Sequence, residues 1–274
     1  MDISVIIVNY RSQAKLANCL AALQRAEWSG LSSEIIVVDN ASGDDLGYLS
    51  REYPAIKLVI SPRNRGMGGG NNLGLSLARG EFILILNPDT IIQGRAIPTL
   101  VDYLKSDPSA ALVGPKLLYP DGSLQLSCAR FPHFFTPLLR RTFLGDYFKA
   151  SRDRFMMTDF DHSSISPVDW LMGSCLLFRR EIRLADGDIF SPRFDERYFM
   201  YFEDIDLARQ IWTRGLRVVY NPEAVVLHDH QRQSARHPWY LALFLDPLAW
   251  RHIFSWLKYF IKWGIKNTKQ YEKN

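Results

Sequence analysis

Glu81-Phe-Ile-Leu-Ile-Leu-Asn-Pro-Asp-Thr-Ile-Ile92 decides how the rest of the chain is read. Phe82 to Leu86 is an unbroken apolar run without alternation, the pattern of a strand buried on both faces of a parallel sheet. Asn87, Pro88 and Asp89 end it, because proline has no N–H for the ladder and holds the preceding residue extended. Asp89 is therefore expected just past the carboxyl end of a central strand, where open α/β sheets bind ligands. Position alone leaves two roles open, a ligand-binding acid or the cap of a turn.

Upstream, buried strands are expected at 3–8 and 34–38 and a third strand at 56–60, with helical spacing at 13–26 and helices at 44–53 and 71–79. This alternation predicts an α/β fold with a doubly wound, mostly parallel central sheet flanked by helices. Asp39 follows its strand as Asp89 follows the central one; it suits an Asx-turn and equally a hydrogen bond to a nucleotide base or ribose. Arg63-Asn-Arg-Gly-Met-Gly-Gly-Gly-Asn-Asn-Leu-Gly74 is rich in glycine but matches neither the dinucleotide fingerprint nor the P-loop. A flexible loop opening a helix N-terminus, flanked by Arg63 and Arg65, suits a diphosphate; a plain turn is the other reading.

Downstream, a helix is expected at 95–105 and a strand at 111–118, ended by Tyr119-Pro-Asp-Gly122. From 123 to 167 periodicity is poor, with Arg130, Arg140, Arg141, Arg152 and Arg154 among aromatics. An acceptor-facing lid and an irregular insertion both fit. A strand is expected at 175–178, and Trp170, near Gly173, suits the core or a sugar-stacking platform.

The second acidic stretch is Phe199-Met-Tyr-Phe-Glu-Asp-Ile-Asp-Leu-Ala-Arg-Gln-Ile-Trp-Thr-Arg-Gly215. Ile205, Ala208, Ile211 and Trp212 share one helical face, which Gly215 ends. Glu203, Asp204 and Asp206 crowd the first turn, where acids favour the helix dipole. Three carboxylates exceed a cap, and one placed against a hydroxyl would serve as general base. Short strands are expected at 217–220 and 224–227, then His228-Asp-His230. No third ligand stands at zinc spacing, so His228 is either a loop histidine or a metal ligand completing a site with Asp89.

At 274 residues and 47% hydrophobic, the chain can bury a sizeable core, and its net charge of +4 is mild. Cys19, Cys128 and Cys175 form no CxxC pair, which points to a reducing compartment without structural disulfides or thiolate zinc. Met1-Asp2 lacks the basic start of an export signal, and no run reaches the ~20 apolar residues of a bilayer span. Basic residues gather mainly in the tail and no reading motif occurs, so no nucleic acid is expected as partner. That tail carries Trp239, Tyr240, Phe244, Trp250, Phe254, Trp256, Tyr259, Phe260 and Trp263, with Lys258, Lys262 and Lys266 at i, i+4 spacing. Such a C-terminal amphipathic helix lies in a membrane interface or packs on the domain.

Taken together, these pieces resemble glycosyltransferase family 2, the inverting enzymes of GT-A fold. The resemblance rests on Ser4-Val-Ile-Ile-Val-Asn-Tyr10, Glu34-Ile-Ile-Val-Val-Asp-Asn-Ala-Ser42, Arg63-Asn-Arg-Gly66, Gly70-Asn-Asn-Leu-Gly74, Leu86-Asn-Pro-Asp-Thr90, Trp170-Leu-Met-Gly173, Phe202-Glu-Asp-Ile-Asp-Leu207 and His228, in order over residues 2–230. It implies a domain over 1–237, with a nucleotide-sugar half (1–94) and an acceptor half (95–237), followed by a tail (238–274). It implies donor contacts from Val8, Tyr10, Asp39, Arg63, Gly66, Asn71, Asn87 and Asp89, and acceptor contacts from Trp170, Gly173 and Glu203. Asp204 is implied as general base, and Asp89 with His228 as ligands of Mg²⁺ or Mn²⁺. Asn87 departs from the family's Asp-x-Asp, so one contact loses its charge. Asn-Pro-Asp looks like the rhamnosyltransferase branch, which implies dTDP-rhamnose as donor, a UDP-sugar second, and a glycan or lipid-linked acceptor in cell-wall or surface polysaccharide assembly. Such an enzyme would be cytoplasmic, peripheral on the inner face of the cell membrane. A catalytically impaired sugar-nucleotide binder and a nucleotidyltransferase are the competing readings.

Overall fold

The computed structural model describes residues 1–136, 147–229 and 247–265. Arg140, Arg141, His230, Trp239, Tyr240, Phe244 and Lys266 lie outside the described residues. The strands are β1 (Ile3–Asn9), β2 (Ser33–Asp39), β3 (Lys57–Ile60), β4 (Phe82–Leu86), β5 (Thr90–Ile92), β6 (Ala110–Leu118), β7 (Leu124–Gln125), β8 (Cys128–Ala129), β9 (Ser166–Pro167), β10 (Trp170–Leu171), β11 (Cys175–Arg179), β12 (Ile182–Arg183), β13 (Ile189–Phe190) and β14 (Arg217–His228). The helices are α1 (Gln13–Arg25), α2 (Leu49–Glu52), α3 (Gly66–Leu75), α4 (Ala96–Ser106), α5 (Lys149–Met156), α6 (Glu203–Trp212) and α7 (Pro247–Trp263).

The main sheet runs β3-β2-β1-β4-β11-β6-β14-β5. Its first four strands are parallel, as the alternation of elements requires. Antiparallel β11 then separates β4 from β6, and antiparallel β5 closes the edge on β14. The chain winds outward from β1 to β3 and returns on the other side at β4. The crevice past the carboxyl ends of β1 and β4 is thus a topological switch point.

All five residues of β4 are buried, as their unbroken apolar run predicts. Alternate side chains enter two cores. Ile6, Val8, Ile83 and Ile85 meet Leu75 of α3, Ile205 and Ile211 of α6, and Tyr259 and Phe260 of α7. Val5, Ile7, Leu84 and Leu86 meet Leu16 and Leu20 of α1 and Ile97 and Leu100 of α4. Each fully buried aliphatic side chain contributes about 1.5–3 kcal/mol, so these two layers dominate what holds the sheet.

Three boundaries differ from expectation. The helix expected at 44–53 shrinks to α2, because Asp44 Oδ2 is taken by Asn9 Nδ2 (2.9 Å) and by Ser12 N (3.0 Å) and the chain stays in turns. The two strands expected at 217–227 are one strand, β14, with a register shift between Asn221 and Val225. The helix expected at 71–79 begins at Gly66, so the glycine run is helical, not a loop.

Helix α7 packs on the domain, and two of its lysines bond to it. Lys258 Nζ donates to Arg197 O (2.8 Å), and Lys262 Nζ reaches Asp195 Oδ2 and Asp206 Oδ2, both at 2.8 Å. Beside exposed Arg251 and Lys258, the outward side carries apolar residues, with Trp250 48%, Phe254 54% and Ile261 82% exposed. Among the described residues, no helix is long and apolar enough to cross a membrane.

Candidate active site

At the carboxyl ends of β1 and β2, Asn9 and Asp39 are buried side by side. Asn9 Nδ2 donates to Asp39 Oδ1 (3.3 Å) and Ser42 Oγ (3.2 Å), and Ser42 N donates to the same Asp39 oxygen (3.3 Å). The turn after Asp39 is therefore built through Oδ1, and Oδ2 stands outside that network. Val8 lies beneath α3, and Tyr10 is exposed, with the Arg11 guanidinium 5.3 Å from its ring centre. Asn40 holds the next loop in place: its Oδ1 accepts from Arg65 N (2.9 Å), and its Nδ2 donates to Gly66 O (3.0 Å). Arg63 is left exposed on that loop.

The glycines of α3 answer to packing. Gly66 has φ +74°, and a Cβ there would lie 2.0 Å from Phe199 O. Met67 N donates to that same carbonyl (3.0 Å). A Cβ on Gly70 would meet Val8 Cγ1 at 2.8 Å, and one on Gly74 would meet Ile6 Cγ2 at 2.4 Å. The flexible phosphate loop expected from the sequence is thus a helix drawn tightly onto β1 and the 194–203 segment, with Asn71 buried in it. Close approach, more than turn flexibility, is what excludes side chains here.

Asn87 to Thr90 is a tight turn. Asn87 O accepts from Thr90 N (3.2 Å) and Thr90 Oγ1 (2.6 Å), with Pro88 at the position its fixed φ favours. The turn delivers the chain into β5, whose pairing puts Thr90 opposite His228. Asp89 Oδ1 is buried without a hydrogen bond, and His228 Nε2 lies 3.4 Å from it. His228 Nδ1 stands 2.7 Å from Gln125 Oε1. The Gln125 contact orients the ring so that Nε2 faces the carboxylate. A carboxylate oxygen buried beside an imidazole nitrogen is a donor pair that suits a divalent ion such as Mn²⁺.

Burial raises the Asp89 pKa, but His228 and Lys15 outweigh it and hold the group below its ordinary value. Lys15 Nζ lies 3.7 Å from Asp89 Oδ2 and 3.1 Å from Asp229 Oδ2. Among the described residues, no cluster of three or more His, Cys, Asp or Glu could hold a metal. An ion at Asp89 and His228 would take the rest of its shell from a ligand.

The second centre is the Glu203–Asp204 pair at the start of α6. Asp204 Oδ2 accepts from Gly173 N (3.1 Å) and Oδ1 from Ile205 N (2.8 Å). Gly173 is open enough for this contact, since a Cβ there would meet Asp204 Cβ at 3.4 Å. Burial pushes both carboxyls up, and the Asp204 charge pushes Glu203 further; the two backbone N–H bonds partly offset the rise at Asp204. Glu203 Oε2 is buried without a partner. A carboxylate raised toward neutrality and fixed by backbone donors is suited to general-base work. Trp170 is half-buried, its Nε1 donating to Arg130 O (2.8 Å), which leaves the ring face as its free contact surface.

Short contacts tie the two centres together. Gly173 N donates to Asp204, and Ser174 O, one residue on, accepts from Asn87 N (2.8 Å), two residues before Asp89. Sequence reasoning missed Gln125, Lys15, Asp229 and Asn40. The Asp39-Asn40 dipeptide at a strand end was a usable signal for Asn40. Gln125 and Lys15 had none, because only the paired strands and α1 bring them to Asp89.

The model of Glycosyl transferase family 2 matches residues 4–182. The chain is 31% identical over 248 residues to the N-acetylglucosaminyl-diphospho-decaprenol L-rhamnosyltransferase of Mycobacterium tuberculosis, covering 85% of this chain and 78% of that protein. It is 26% identical over 255 residues to rhamnosyltransferase WbbL of Escherichia coli, covering 88% and 86%. Among solved structures, it is similar to GalNAc-T7 with UDP, GalNAc and Mn²⁺ (TM-score 0.64, 15% identity, 86% of this chain, 45% of that one). It is also similar to the mannosyltransferase PcManGT of Pyrobaculum calidifontis with GDP-Man and Mn²⁺ (TM-score 0.59, 19% identity, 95% and 64%). These likenesses show the GT-A fold. With the family model matching most of its length, the chain belongs to glycosyl transferase family 2.

Proposed function

We propose that this protein transfers L-rhamnose from dTDP-rhamnose, with a UDP-sugar as the second choice of donor, to a hydroxyl of a lipid-linked glycan, inverting the anomeric carbon. The observation that carries the reading is the linked pair of centres at one strand end: Asp204 on Gly173 N (3.1 Å), and Asp89 beside His228 (3.4 Å). Asp204 Oδ2 takes the proton of the acceptor hydroxyl as its oxygen attacks the anomeric carbon. The bond from that carbon to the diphosphate breaks on the opposite face, and the nucleoside diphosphate leaves. Asp39 holds the base or ribose, while Val8, Tyr10, Arg63, Gly66, Asn71 and Asn87 line the donor side. Trp170, Gly173 and Glu203 line the acceptor side. Asp89 and His228 would hold Mg²⁺ or Mn²⁺, which would supply positive charge to offset that of the leaving diphosphate.

The relatives named for rhamnosyl transfer support the donor, and the relative named for an N-acetylglucosaminyl-diphospho-decaprenol acceptor supports a lipid-linked acceptor in cell-surface glycan assembly. The outward apolar residues of α7 (Trp250, Phe254, Leu257, Ile261) support peripheral attachment to the cytoplasmic face of the membrane. The test is a Mn²⁺ titration with dTDP, UDP and GDP. One nucleotide should raise the melting temperature in a metal-dependent way, and no shift with any would refute the donor site.

A further inference from the structure

The sequence sets three carboxylates in the first turn of α6, and the chemistry above uses two. The third, Asp206, is fully buried and collects four donors. Tyr198 Oη (3.2 Å) and Trp263 Nε1 (2.6 Å) donate to its Oδ1, and Gln210 Nε2 and Lys262 Nζ (both 2.8 Å) to its Oδ2. Two of the four come from α7. Beside them, Arg209 donates to Tyr259 Oη (2.9 Å), again joining α6 to α7.

The stretch just before the Glu203–Asp204 pair is strained. Tyr201 (φ +67°) and Phe202 (φ +68°) are consecutive side-chain-bearing residues in the left-handed region. Such a conformation persists only where the surroundings over-determine it. Here α7 supplies those surroundings. Ser255 Oγ donates to Met200 O (2.8 Å). The His252 ring lies 5.0 Å from Tyr201 and 5.4 Å from Phe202, and Tyr259 lies 5.3 Å from Phe202. The Arg251 guanidinium covers Phe199 at 4.3 Å, and Phe199 O in turn accepts from Met67 of α3. One short segment is therefore held between the donor-side helix and α7, and the catalytic acids follow it directly.

We propose that α7 is a brace of the catalytic turn, with Ser255, Lys262 and Trp263 as positioning residues that hold Tyr201-Phe202 left-handed and so set Asp204 against Gly173 N. This rests on the reading of Asp204 as the base. Removing Lys262 leaves a buried carboxylate short of its one cationic partner on α7, and the loss falls on the first turn of α6.

The test uses the full chain with Lys262→Met and the milder Ser255→Ala, and Lys262→Arg as the conservative rescue. Hydrogen exchange should quicken at 199–206 and stay unchanged at 3–9 and 33–39. Turnover should fall at least tenfold with donor KM within threefold. The acid limb of kcat/KM should move down in pH as the turn opens to water, and Lys262→Arg should restore most of the loss. Unchanged exchange at 199–206 overturns the brace. So does quickened exchange with wild-type turnover and pH profile. If Lys262→Met does not fold, Ser255→Ala carries the same readouts. Exchange needs no sugar transfer, so localised quickening alongside an Asp204→Asn enzyme of full activity would uphold the brace and overturn the base.

Discussion

Replacing Asp204 by Asn removes one proton acceptor and little else. The two oxygens of Asp204 each accept one backbone N–H, from Gly173 and Ile205. Asn keeps an oxygen for one of them and turns its NH₂ on the other, at a cost of about 1–3 kcal/mol. Loss of a buried negative charge offsets part of that, so the fold and nucleotide binding persist. Loss of a general base lowers the rate by roughly 10²–10⁴-fold, which is about 3–5 kcal/mol on the barrier at 1.36 kcal/mol per tenfold. The pH dependence gives a second handle. The base works ionised, and burial raises its pKa, so wild-type activity should climb with pH through a limb above the ordinary aspartate value of about 3.9. In Asp204→Asn that limb should vanish along with the rate. Steady-state kinetics across pH, with donor affinity measured separately, is the assay. Turnover within threefold of wild type, or an unmoved limb, would refute the reasoning.

Other consequences are equally open to measurement. Glu203 has a raised pKa in the fold, so the folded state binds its proton more tightly, and stability is lost as pH rises from the ordinary value of about 4.3 through the raised one. Glu203→Gln should therefore raise the melting temperature at pH 8 and leave it unchanged at pH 4; a lower value at both would contradict the sign. Gln125→Leu frees Nδ1 of His228 and should weaken Mn²⁺ binding in the presence of dTDP by about 10–100-fold, read by calorimetry. Gly66→Ala places a Cβ 2.0 Å from Phe199 O at positive φ and should destabilise by about 2–4 kcal/mol in urea unfolding, whereas a neutral effect would mean that the 194–203 segment yields freely. Phe254→Ser with Ile261→Ser should cut sedimentation with anionic vesicles about tenfold.

The parallel half of the sheet was legible because β1 and β4 are buried on both faces and β2 over its second half, so their apolar runs carry no alternation to confuse the period, while β3 lies partly exposed at the edge. The positions of Asp89 and Asp204 in the fold were legible because each lies beside an abrupt change of pattern. The glycine run misled, since the same residues that loosen a loop also let a helix approach β1, and only the partners Val8, Ile6 and Phe199 O separate the two. The partners of the α7 lysines were hidden for a different reason. Their i, i+4 spacing calls for a compensating partner, but Asp195, Arg197 and Asp206 lie far off in sequence. Gln125 became visible only through the pairing of β7 with β6 and of β6 with β14.

The central claim is inverting sugar transfer at the site flanked by Asp89 and Asp204. It is tested most directly by following the products when the protein is given dTDP-rhamnose, Mn²⁺ and a polyprenyl-diphosphate-linked acceptor sugar. The account predicts free dTDP in step with a new glycoside of inverted anomeric configuration. Release of pyrophosphate, or a glycoside of retained configuration, would contradict it.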